Sequence, residues 1–143
     1  MEAIDAVFRK WRIDSVPLNP KATHADLARL ESALGTALPD DVRYYFSIAD
    51  GMSDDGEPAD DSLTNFWSIG RMLSDPWNPS GTDERGPFRD LAFADVMINS
   101  WFICFRVRPE LGLSIHVEGA LLELPSLEEF FRRYLADPQT LCL

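Results

Sequence analysis

The sequence predicts an α+β fold, a single antiparallel-rich sheet of about four to six strands packed against N-terminal helices and a C-terminal helix. Three observations carry this. Apolar residues recur at helical spacing in three segments before residue 51 and in one after residue 125. Between residues 91 and 124 the pattern changes to short apolar or alternating runs, divided by Pro-Glu-Leu-Gly and Glu-Gly turns. Helices kept apart from turn-linked strands favour an antiparallel sheet over the strand–helix alternation of a parallel one.

In chain order, Ile4, Val7, Phe8 and Trp11 fall at i, i+3, i+4 and i+7, one face of a helix over residues 2–13. Two prolines, Pro17 and Pro20, then force a connector. Thr23 is positioned as an N-cap, with Asp26 as the acid of a capping box although Asp is shorter than the usual Glu or Gln. Leu27, Leu30 and Leu34 share the face of the second helix, and Gly35 suits its left-handed end. Pro39 opens the third helix, with Asp40 and Asp41 in its first turn, where negative charge is favoured. Val42, Tyr45, Phe46 and Ala49 form its buried face, and Asp50-Gly51 ends it.

Residues 52–62 read as a polar loop and 63–69 as a first strand. Residues 70–90, with three prolines and three glycines, read as a long loop with at most a helical turn at 71–74. Residues 91–96, 101–107, 113–117 and 120–124 read as strands, that over 101–107 being central because both its faces are largely apolar. Ser126 and Glu129 form a capping box for the last helix, whose face is Leu127, Phe130, Phe131, Tyr134 and Leu135.

The 143 residues suit one domain spanning 1–143. No apolar run approaches the roughly 20 residues that cross a bilayer, and the charged N-terminus has no secretory signal pattern. A cytoplasmic protein is expected, and its cysteines, Cys104 and Cys142, are expected to be free thiols. The net charge of −11 disfavours direct binding to nucleic acid or an anionic membrane and favours basic surfaces.

Reactive chemistry finds little support. His24 and His116 have no partner at zinc-ligand spacing, so no metal is expected. There is no G-x-S-x-G, phosphate loop or calcium loop, and Ser80-Gly81 has no matched base. Cys104 with His116 is conceivable across neighbouring strands, but a thiol in an apolar run is more often inert core. The expectation is a protein without catalytic residues or cofactor. Two features remain. Asp54, Asp55, Glu57, Asp60 and Asp61 crowd one loop, which is either a solvated connection or a docking surface for a basic partner. Trp77, in Asp-Pro-Trp-Asn-Pro, either tucks under the sheet or stands out as a binding anchor.

The run LARLESALGTALPDDVRYYFSIADG, with LAFAD at 91–95 and SLEEFFRRYL at 126–135, resembles the SUKH superfamily of cell-wall-synthesis-regulator-like and bacterial immunity domains. The resemblance covers about residues 22–136; Asp50-Gly51 stands where the family usually has Asn-Gly, with the same turn physics. It implies a sheet backed by helices and a non-enzymatic role, most often stoichiometric neutralisation of a polymorphic toxin, frequently a nuclease or deaminase. It equally admits an intracellular scaffold or regulator of the cell-wall-synthesis type. On the first reading the five acids steer a basic toxin domain and Trp77 anchors it.

Overall fold

The computed structural model describes residues 1–141, so Cys142 and any expectation for its thiol lie outside the described residues. Among these the chain runs α1 (Glu2–Ile13), α2 (His24–Leu34), α3 (Asp40–Ile48), β1 (Thr64–Phe66), α4 (Ile69–Ser74), β2 (Ser80–Asp83), β3 (Gly86–Val96), β4 (Trp101–Arg108), β5 (Gly112–Val117), β6 (Leu122–Leu124) and α5 (Leu127–Ala136), followed by a 3-10 turn, Pro138–Leu141. The six strands form one antiparallel sheet in the order β1-β3-β4-β5-β6. β3 pairs with β2 over its first half and with β1 over its last, with a register shift between Ala92 and Ala94. The α+β architecture and the central place of β4 are as the sequence predicts. No helix among the described residues is long and apolar enough to cross a membrane.

One face of the sheet is covered by helices through an aromatic core. Phe93 stacks on Phe105 at 4.2 Å, and Phe130 of α5 meets Phe93 edge-on. Phe131 lies against Tyr45 of α3 and Trp11 of α1, and Trp11 reaches Phe66 of β1. Each such ring, wholly removed from water, contributes about 1.5–3 kcal/mol through buried apolar surface. The helical spacing that predicts these faces therefore also selects the core.

The helix ends are satisfied partly by local and partly by distant groups. Thr23 and Asp26 make the full capping box despite the short acid, and Gly35 is left-handed at φ 71°. Ser126 Oγ accepts from Glu129 N, but the Glu129 carboxylate turns to Arg132 and Arg133 instead of closing the box, because those charges lie one turn away on the same helix. α1 has no cap of its own. Glu128 of α5 accepts from Ala3 N and Ile4 N, while Asp41 of α3 accepts from Glu128 N. Arg89 of β3 donates to the carbonyls of Ala33 and Leu34 at the end of α2.

Two predicted elements need correction. Residues 63–69 hold only the short strand β1, because Ser68 caps α4 with its hydroxyl and breaks the extended run. Residues 80–90 are not loop: β2 and the start of β3 form a hairpin, whose turn is closed by Asp83 Oδ1 accepting from Arg85 N and by left-handed Gly86. The prolines that suggest a loop sit outside its pairing or at Pro87, which opens β3.

Candidate partner-binding surface

Among the described residues the second face of the sheet has no helix layer, and it divides into two ends. At the β2–β6 end charges are matched to one another. Arg106 donates from Nε and Nη2 to the two Asp90 oxygens, at 2.8 and 2.9 Å. Arg108, 3% exposed, donates to both oxygens of Asp83 and of Glu123 at 2.6–3.1 Å. Phe88 covers the Arg106 guanidinium at 3.7 Å. The Arg108 guanidinium is the first cause holding the carboxyls of Asp83 and Glu123 down, to about 2 in each case. An open cleft of about 800 Å³ beside them is lined by His116, Arg85 and Leu121. Burial lowers the pKa of His116. Cys104 pairs in register with His116 but is buried, and burial pushes its thiol up, away from the reactive thiolate.

The β1–α4 end is arranged around Arg71, a residue the loop reading of 70–90 passes over. Its guanidinium lies over the Trp67 ring at 4.7 Å and 3.9 Å from Asp95. Asp95 also accepts from Trp67 Nε1 at 2.6 Å and from Asn99 N at 2.7 Å. Three hollows meet at Arg71. One, about 380 Å³, lies among Glu57, Ala59, Leu63, Asn65, Met97 and Ile98. The second holds Trp77, Phe102 and Asn99, and the third Asp54, Gly56 and Glu57.

The predicted residues divide between these surroundings. Asp54, Asp55 and Glu57 are exposed, and Asp54 and Glu57 share the third hollow with Arg71. Asp54 also accepts from Ser68 Oγ at 2.8 Å, and Asp50 accepts from Ile69 N, so the loop's first acids hold the start of α4. Gly51 makes that approach possible: it is left-handed, and a Cβ there would stand 2.4 Å from the Trp67 carbonyl. Trp77 is 45% exposed and stacks on Phe102 at 5.1 Å, so it lies on the open face and is not tucked under the sheet.

Asp60 is a correction. It is 5% exposed and cannot be a docking residue. Its carboxylate accepts from Trp11 Nε1, the Tyr134 hydroxyl, Ser62 N and Thr64 N, which links α1, α5 and β1. A buried carboxylate needs such donors to offset lost hydration. Asp61 is exposed but turned to α1, where it pairs with Lys10 at 2.8 Å.

Sequence reasoning also misses the β3–β4 turn. Met97, Ile98 and Asn99 are consecutive left-handed residues at φ 52°, 54° and 60°, and Met97 and Ile98 are exposed. This conformation is rare for a β-branched side chain. The readable signal is an apolar pair placed where two strands must turn.

A family model described as SMI1 / KNR4 family (SUKH-1) matches residues 21–133. No curated protein matches the chain.

Proposed function

Because the chain belongs to the SMI1 / KNR4 family (SUKH-1), we propose that it is a non-enzymatic binding protein of the immunity type, which neutralises a nuclease- or deaminase-like polymorphic toxin by stoichiometric binding through its acidic surface. The observation that carries this reading is the Arg71 surface. There exposed carboxylates, a half-exposed tryptophan and exposed aliphatic side chains stand side by side. An apolar anchor flanked by charge is the usual composition of a protein interface. The net charge of −11 suits a basic partner, and nucleic-acid-acting toxins are basic where they hold their substrate.

The test is coexpression with whatever toxin domain the neighbouring reading frame encodes. Restored growth together with a one-to-one complex on gel filtration supports the proposal. Growth arrest that persists, or rescue without a complex, contradicts it. A stable set of housekeeping partners in place of a toxin favours the scaffold or regulator role. Asp60 is left intact in every surface variant, because its loss unpairs four donors, three of them buried.

A further inference from the structure

Resting on that binding role, we propose that the hollow between β1 and the β3–β4 turn receives one apolar side chain from a loop of the partner. A Lys or Arg next to that side chain faces Glu57, and Asn65 Nδ2 donates to a main-chain carbonyl of the same loop.

Asn65 is the first observation. It is 6% exposed and lines the hollow, and its Nδ2 has no partner among the described residues. Its Oδ1 is taken by Arg71 Nη1 at 3.4 Å, which orients the amide with its donors toward the unpaired side. A buried amide donor without an acceptor is costly to leave unpaired. Nδ2 is out of contact with solvent, and a turn of the side chain brings it to the hollow that Asn65 lines, where a peptide carbonyl carried in by an inserted side chain supplies the acceptor it lacks.

The rim is the second. Leu63, Met97 and Ile98 line the hollow, are exposed, and are all left-handed without being glycine. Backbone in that region is strained for a residue with a side chain. The folded chain nevertheless leaves more than half of each of these three residues exposed. A volume of about 380 Å³ lies near the small end of ligand pockets, roughly 300 Å³ upward, and suits one large side chain.

Charge selects the occupant. Arg71 is matched by Asp95, so the surplus at the rim is the negative charge of Glu57 with Asp54 beyond it. A second copy of this chain would set −11 against −11. A loop pairing an aliphatic or aromatic residue with a Lys or Arg satisfies both the apolar rim and the acids.

The test needs no toxin. Disulfide-closed heptapeptides displayed on phage are selected on the immobilised full-length chain. The expected clones place Leu, Ile, Met or Phe beside Lys or Arg. They bind the Ile98→Asp chain at least tenfold more weakly, and they shift the side-chain amide resonances of Asn65. Ile98 is 72% exposed and Asp tolerates its left-handed backbone, so the variant melts no lower than the parent. No enrichment, clones without that pairing, or binding indifferent to Ile98→Asp overturns the inference. A toxin bound equally well by the Ile98→Asp chain also overturns the hollow while leaving the immunity role standing. Peptide capture without any toxin complex overturns the immunity role alone.

Discussion

The two ends of the open sheet face are built from similar residues and used differently. Each has an arginine against an aromatic ring: Arg106 over Phe88 at one end, Arg71 over Trp67 at the other. At the β2–β6 end two arginines meet three carboxylates, Asp83, Asp90 and Glu123, almost all in direct hydrogen bonds. At the β1–α4 end the pairing is looser, with Arg71 at 3.9 Å from Asp95, an unpaired Asn65 donor and exposed Leu63, Met97, Ile98 and Trp77. Among the described residues, Asp54 and Glu57 share a hollow with Arg71 but form no ion pair with it. The contrast separates charge that holds β2 and its hairpin onto the sheet from charge and apolar surface left available to another molecule.

Breaking the matched end has the largest expected effect. Arg106→Ala leaves Asp90, which is 4% exposed, without its two-point partner. Losing one member of a buried pair costs about 3 kcal/mol. Urea unfolding should show this, while the remaining folded protein keeps its affinity for the toxin domain within about twofold. A large loss of affinity with little loss of stability would reverse the assignment of the two ends.

The open end should give the opposite pattern. Ile98→Asp should cost no stability, because Asp tolerates the left-handed backbone better than a β-branched side chain, and weaken toxin binding by at least tenfold, about 1.4 kcal/mol. Next in size, joint replacement of Asp54 and Asp55 by Asn and of Glu57 by Gln should slow association several-fold at low salt and flatten its salt dependence. Dissociation should change little, because exposed charge acts mainly on encounter. Stopped-flow traces at two ionic strengths separate these rates. Equal rates and equal salt slopes would remove the acids from the steering role.

The smallest effect is a slope with pH. Asp83 and Glu123 are held at about 2, below their ordinary values of 3.8 and 4.5. A depressed carboxyl adds stability above its unfolded value and loses it as pH falls toward the folded value. Melting temperature should therefore fall as pH drops from about 4.5 to 2, and Asp83→Asn should reduce that fall. Toxin affinity of the protein near neutral pH should not register the substitution. A variant with the same acid slope as the parent would show that the Arg108 pairs do not persist in solution.

The sequence makes the apolar periodicities legible because each is a local repeat. Ile4, Val7, Phe8 and Trp11 are buried as their spacing requires, and Thr23 with Asp26 forms the cap that three-residue spacing allows. What it hides depends on distant partners. Asp60 has the same chemistry as Asp55, and only the arrival of Trp11 and Tyr134 makes one a core group and the other a surface one. Glu128 caps a helix more than 120 positions earlier in the chain. The hairpin over residues 80–90 is obscured by its glycines and prolines, since its four-residue strand β2 is exposed throughout and has no apolar alternation. Of the predicted partner residues, Asp54, Glu57 and Trp77 meet the Arg71 surface, whereas Asp60 leaves it and Asp61 faces Lys10. Arg71, Asn65 and Ile98 become visible only when β1, α4 and the β3–β4 turn converge.

The most direct measurement is the pair of quantities, melting temperature and toxin-domain affinity, taken on the single Ile98→Asp chain. A melting temperature no lower than the parent's and a dissociation constant raised at least tenfold are the expected results. An unchanged dissociation constant for a complex that does form would contradict them, and would place the partner on some other face of the molecule.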